Sequence, residues 1–196
     1  MNRLSNTQYQ DIRQLAAART PGHGLVGRFY GDPVVHEADL ETIWFHGWLF
    51  VGHGCQLKTP GDYLTLQVGT EPVVVIRGDD GQLGAFSNIC RHRGTILCND
   101  TTGHAGRLVC PYHQWTYDRG GQLVSCRGMD GDLDTSTLGL HRFAVEETGG
   151  LVFVSLAATP PPFDVAAQHI GPAATPQGLE RARIAATVDY LFGYDA

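Results

Sequence analysis

Two short loops constrain this chain more than any other feature. The first reads Cys90-Arg91-His92 within CRHRG. The second reads Cys110-Pro111-Tyr112-His113 within CPYHQWTYD, and 17 residues separate His92 from Cys110. Gly94 and Pro111 help to shape these loops, which present thiolate and imidazole donors. Two thiolates and two imidazoles suit either a tetrahedral zinc ion or an iron–sulfur cluster, and the spacing alone admits both.

The other candidate donors read as bystanders. Cysteines at 90, 98, 110 and 126 do not fit a C-x4-C-x2-C pattern, so an all-cysteine cluster is disfavoured and Cys98 reads as a small half-buried residue beside the first loop. Cys55 and Cys126 read the same way. His104, among Gly103, Ala105 and Gly106, reads as exposed loop. DGDLD at 130–134 hints at a calcium loop. The glycine that such a loop needs at its sixth position is Thr135, and its twelfth residue is His141 rather than Glu, so calcium is rejected.

A β frame is expected around the loops. Thr7 to Arg19 has helical spacing, with Thr7 and Gln10 matching a capping box and Ile12, Leu15 and Ala16 on one face. A second helix begins near Asp32-Pro33. After Trp48 the pattern changes to strands: WLFVG, then YLTLQV with Leu64, Leu66 and Val68 alternating with polar residues. Val73 to Ile76 is expected to be buried on both faces. Asp79-Asp80-Gly81 and Arg119-Gly120-Gly121 mark hairpin turns. LVFVSL reads as a last core strand, and Pro160-Pro161-Pro162 makes a stiff break. The reading is therefore mainly β: a helical segment over 1–47, an antiparallel β domain over 48–156, and over 157–196 a linker with a short helix and a strand in RIAATV.

Composition limits the partners. With 42% hydrophobic and 17% charged residues among 196, a packed core is expected. A net charge of −6 argues against nucleic acid or an anionic membrane. The longest apolar run, Leu151 to Ala158, is too short to span a bilayer. The first residues, MNRLSNTQYQ, lack the apolar core of a signal peptide. Five cysteines, an odd number, argue against a disulfide framework, so a cytoplasmic protein is expected.

CRHRG and CPYHQWTYD together closely resemble the Rieske domain of bacterial ring-hydroxylating and demethylating oxygenase α subunits. The resemblance runs from FYGDP through WLFVGHGCQLKTPGDY and GDDGQLGAFSNICRHRG to GGLVFVSL, over half of the chain. It implies a Rieske-type antiparallel β-sandwich and a [2Fe–2S] cluster, with Cys90 and Cys110 on one iron and His92 and His113 on the other. Respiratory relatives have a disulfide where this chain has Thr95 and Tyr112, and a serine hydroxyl donor where it has Trp115. Tyr117 would retain the second hydroxyl donor. Losing one donor points to the low end of the Rieske range, about −150 mV.

Among such oxygenases the layout looks most like those acting on quaternary ammonium compounds. The resemblance implies a reductase or ferredoxin donor, a trimeric assembly, and electron transfer to the mononuclear iron of a neighbouring subunit. That iron needs two histidines and a carboxylate in a catalytic domain, and no D/E-x2-H-x4-H arrangement is found here. The chain is therefore expected to be the Rieske portion of a truncated or split α subunit. A stand-alone Rieske electron carrier is the alternative. The exposed edge of His92 and His113 is expected to be the electron exit, bordered by Arg91, Arg93, Tyr112 and Trp115. Arg91 and Arg93 are the better candidates for docking an acidic donor.

Overall fold

The structure is a computed structural model that describes residues 4–129 and 134–187. The calcium-like stretch therefore lies outside the described residues except for Asp134. Among the described residues, four α-helices precede or follow ten strands: α1 (Asn6–Ala17), α2 (Arg28–Gly31), α3 (Pro33–Asp39) and α4 (Asp164–Ala174). The strands are β1 (Leu49–His53), β2 (Asp62–Val68), β3 (Glu71–Arg77), β4 (Leu83–Ser87), β5 (Thr102–His104), β6 (Leu108–Val109), β7 (Thr116–Tyr117), β8 (Leu123–Ser125), β9 (Arg142–Thr148) and β10 (Leu151–Ser155). Seven form one antiparallel sheet in the order β1-β10-β9-β4-β3-β2-β5, and β6-β7-β8 form a second, smaller sheet.

The large sheet curls into a half-barrel. Its edge strand β1 approaches β2 so closely that a Cβ on Gly52 would stand 2.8 Å from Leu64 Cδ1. Alternate residues of β3 then serve two cores. Val73 and Val75 pack inside the curl with Leu57, Leu64, Ala85, Phe143, Val152 and Val154. Val74 and Ile76 face the other way and pack with Phe86, Leu108, Trp115, Tyr117 and Leu123 of the metal-loop lobe. All four β3 side chains are fully buried, as their unbroken apolar run predicts. Each such side chain contributes roughly 1.5–3 kcal/mol of hydrophobic stabilisation.

Both hairpins form where the turn residues predict them. Gly78 N–H donates to Gln82 O at 2.8 Å, and Asp118 N–H donates to Gln122 O at 2.9 Å. The helical segment needs one correction. The capping box of α1 is Ser5 with Gln8 rather than Thr7 with Gln10, so the cap lies two residues before the expected one and the helix begins at Asn6 instead of Thr7. Both pairs satisfy the same i, i+3 pattern, and the serine is the one that precedes the first turn. Asp32 caps α3 as expected, accepting from Val34 N–H at 2.8 Å. A π-helical turn, Leu40–Trp44, continues it.

The tail is tied to the sheet edge. Trp48 Nε1 donates to Pro161 O at 2.9 Å, and Phe163 packs between the rings of Trp48 and Phe153. The expected strand in RIAATV is not formed over 183–187, where no neighbouring strand pairs with it, and residue 188 lies outside the described residues. No described helix is long and apolar enough to cross a membrane.

Candidate metal centre

The β4–β5 connection carries Cys90 and His92, and the β6–β7 hairpin carries Cys110 and His113. The two loops close by the same pattern of backbone bonds. Cys90 N–H donates to Thr95 O at 2.8 Å and Gly94 N–H to Cys90 O at 3.0 Å. Cys110 N–H donates to Trp115 O at 2.8 Å and Gln114 N–H to Cys110 O at 3.0 Å. Gly94 and Gln114 thus hold equivalent places, with φ of +72° and +60°.

A side chain that sequence reasoning missed secures the first loop. Asn88 is 2% exposed. Its amide donates to Cys98 O at 2.7 Å, and its carbonyl accepts from Cys98 N–H at 2.9 Å. The pair imitates a strand ladder across the loop base. Its contact residue lies ten positions away, so no local pattern announced it.

The four expected donors come together. Both thiols are buried. The rings of His92 and His113 stand 4.7 Å apart, inclined at 70°. The Nδ1 atoms of both are buried and have no hydrogen-bond partner among the described residues. Buried polar atoms rarely go unsatisfied, so a pair of them beside two buried thiols fits a metal group. No three Cys, His, Asp or Glu among the described residues could hold a single ion. A structural zinc needs four ligands around one point, whereas a two-iron cluster takes them as two pairs. When bound, such a cluster supplies one-electron storage.

The surroundings favour the protonation states that metal ligation requires. Burial pushes the Cys110 thiol up, but N–H groups of His113 and Tyr112 and bonds from Cys90 and Thr95 outweigh it and lower its pKa. Burial dominates at Cys90 and raises its pKa, against the opposing pull of Tyr117 and the His92 backbone. The two sulfurs share one environment, in which Cys110 ionises first. His113 is lowered by burial and by the charges of His92 and Arg93, which favours the neutral ring. Tyr117 is fully buried, with its hydroxyl 3.5 Å from Cys90 Sγ. That hydroxyl accepts from Arg91 N–H at 3.0 Å, leaving its own proton free for the sulfur.

The rim differs from expectation in one residue. Tyr112 is 60% exposed and lies against His113, with centroids 3.7 Å apart. Trp115 does not border the exposed edge. It is only 3% exposed and stacks beneath His92, at 4.9 Å and 8°. Its place in the hairpin turns the ring inward, into the core it shares with Val74 and Ile76 of β3. Arg119 is held by Ala105 O and Asp79, and Arg127 by Gln114. Arg91, Arg93 and Arg107 are exposed, and none has an ion pair among the described residues.

The bystanders differ from expectation in two details: Cys98 is buried rather than half-buried, and His104 lies in a strand. All five cysteines are free, and Cys55 and Cys126 are half-buried. Cys98 is buried, which pushes its thiol up to about 11. His104 is exposed, although it lies in β5 rather than in a loop, and its Nδ1 meets Asp62 Oδ1 at 2.9 Å.

A family model described as the Rieske [2Fe–2S] domain matches residues 47–144, half of the 196-residue chain. The glycine betaine monooxygenase oxygenase subunit of Chromohalobacter salexigens is 42% identical over 169 residues, covering 86% of this chain and 38% of that relative. The biphenyl 2,3-dioxygenase subunit alpha of Rhodococcus jostii is 37% identical over 158 residues, covering 79% and 34%. The crystal structure of the quaternary ammonium Rieske monooxygenase CntA with L-carnitine is similar at a TM-score of 0.75 and 32% identity, over 81% of this chain and 46% of that one. The chain therefore spans less than two fifths of the length of these curated relatives. With its antiparallel half-barrel and its two-loop lobe, the chain belongs to the Rieske [2Fe–2S] family, and its relatives are Rieske oxygenase α subunits.

Proposed function

We propose that this chain passes single electrons through a [2Fe–2S] cluster held by Cys90 and Cys110 on one iron and by His92 and His113 on the other. The observation that carries the reading is the pair of buried, unpartnered Nδ1 atoms beside two buried thiols. Residues 48–156 form the electron-transfer unit, 1–47 its helical leading segment, and 157–196 the linker and beginning of a catalytic part. The whole enzyme is an oxygenase α subunit acting on a small quaternary ammonium compound, with its mononuclear iron outside the described residues. The similarity to the glycine betaine and CntA monooxygenases supports this substrate class.

Electrons arrive from a reductase or ferredoxin and leave from the His92–His113 edge toward the catalytic iron of a neighbouring subunit, in a trimer. Exposed Arg91 and Arg93, without acidic partners among the described residues, support docking of an acidic donor. Five free cysteines support a reducing, cytoplasmic setting.

The test is elemental and spectroscopic. Chain purified without oxygen should hold about two irons and two acid-labile sulfides and be red-brown. Cys90→Ser and His113→Ala should abolish the cluster, and Cys98→Ser should keep it. Stoichiometric zinc without visible absorption would overturn the reading. Reduced by dithionite and supplied with ferrous iron, the chain alone should release no product from glycine betaine or carnitine. Oxygen-dependent turnover would overturn the location of the catalytic iron.

A further inference from the structure

A metal-bound imidazole is normally oriented by its second ring nitrogen, which bonds a carboxylate, a carbonyl or a water. His92 has no such anchor among the described residues. The imidazole hydrogen bonds among the described residues belong to His23, His53 and His104. The buried Nδ1 of His92 is the nitrogen left for the metal, and its second nitrogen, Nε2, makes no hydrogen bond to the described residues. The torsion that turns an imidazole about its own axis is broad, so an unanchored ring can swing its nitrogens away from a fixed direction.

One side chain restrains that motion. The indole of Trp115 lies nearly parallel to the imidazole of His92, at 8° and 4.9 Å. Trp115 is itself immobilised, being 3% exposed and packed in the core shared with Val74, Ile76, Leu108 and Tyr117. Its carbonyl also closes the second loop by accepting from Cys110 N–H at 2.8 Å. A residue of the second loop therefore sets a donor of the first. Its Nε1 is buried without a hydrogen-bond partner among the described residues, so the flat face is what engages His92.

We infer that Trp115 is the positioning residue for His92, fixing the imidazole plane by stacking where other metal sites use a hydrogen bond. The inference rests on the proposed ligand set. Trp115 acts through His92, and its stack keys the two loops to each other before the cluster is bound.

The test uses the full chain loaded with its cluster. Trp115→Phe keeps a ring and removes the N–H. Trp115→Met removes the ring but leaves a flexible apolar side chain that refills the space. Three quantities are read: the half-life of the cluster under a chelator, the g-values of the dithionite-reduced protein, and its midpoint potential. Trp115→Met should lose iron about ten- to a hundred-fold faster, the range for an outer-shell partner of a ligand, with shifted g-values. Trp115→Phe should match the parent in all three.

Unchanged lifetime and g-values in Trp115→Met would overturn the inference, as would a Trp115→Phe variant impaired to the same degree, which would assign the role to the N–H. Should Trp115→Met lose the fold by far-ultraviolet circular dichroism, the nitrogen hyperfine couplings of Trp115→Phe decide: unchanged couplings support the stack, altered ones overturn it. A parent chain without iron and sulfide would instead overturn the ligand set, and this inference with it.

Discussion

Gly94 and Gln114 occupy the same place in the two metal loops, each four residues beyond a cysteine and each donating its N–H to that cysteine's carbonyl at 3.0 Å. Both are left-handed, and Gln114 is the one non-glycine residue with positive φ among the described residues. A side chain there costs roughly 1–2 kcal/mol. A Cβ on Gly94 would meet nothing within 4 Å, so the cost of adding one is conformational alone. Gly94→Ala should therefore lose about 1–2 kcal/mol. Gln114→Gly should gain about 0.5 kcal/mol, because the relief is partly cancelled by the backbone freedom of glycine and by loss of the Arg127 contact. Urea unfolding of both variants checks the order. Equal effects, or a stabilised Gly94→Ala, would break the equivalence.

The Tyr117 hydroxyl stands within reach of Cys90 Sγ, and a donor to sulfur favours the more negative, reduced state. Tyr117→Phe should keep the cluster and lower its midpoint potential. A differential of roughly 1 kcal/mol, an ordinary net hydrogen bond, corresponds to about 40 mV for one electron. Voltammetry at fixed pH measures it. A potential that stays put or rises would show that the hydroxyl proton points elsewhere.

Asn88 should be structurally expensive to lose. Truncation to Ala strands the N–H and C=O of buried Cys98, and each unsatisfied buried group costs about 1–3 kcal/mol. Thermal unfolding of Asn88→Ala should show a fall in Tm of at least about 4 °C. Cys98→Ser, which leaves both backbone bonds in place, should fall by less than Asn88→Ala. The reverse order would contradict the ladder-like role of Asn88.

Asp62 gives the stability a defined acid dependence. The His104 imidazole and then the Thr59 N–H hold its carboxyl below the usual carboxylate range. A folded-state pKa depressed below the unfolded value of about 3.9 gives stability that is full above that value and is lost as pH falls through the folded pKa. Asp62→Asn should cost roughly 1 kcal/mol at neutral pH, and the gap to the parent should close below about pH 3. Unfolding curves from pH 7 to pH 2.5 test it. A gap constant with pH would mean that the carboxylate charge is not what Thr59 and His104 recognise.

The frame was legible where burial follows a short period. β2, β3 and β10 are marked by alternation or by unbroken apolar runs, and each hairpin by its turn residues. β9 was not, because Phe143 and Val145 stand among Arg142, Glu146 and Glu147, and only pairing with β4 and β10 makes the stretch a strand. The choice between Ser5 and Thr7 as cap could not be made from spacing that both satisfy. At the site, the ligand loops were readable because each is closed within a few residues. Asn88 and the inward turn of Trp115 were not readable, since both depend on contacts with distant segments.

Val73 to Ile76 has a practical implication for anyone wishing to transplant the electron relay. The two donor loops cannot be lifted out as a cassette, because half of the floor beneath them is the back of a barrel strand. A graft that took only 88–127 would leave Trp115 and Tyr117 facing solvent on one side. A host scaffold would need to supply a β3 of its own, with valine- and isoleucine-sized side chains at alternating positions. Swaps among relatives should accordingly tolerate a join in the β2–β3 turn better than one just before Asn88.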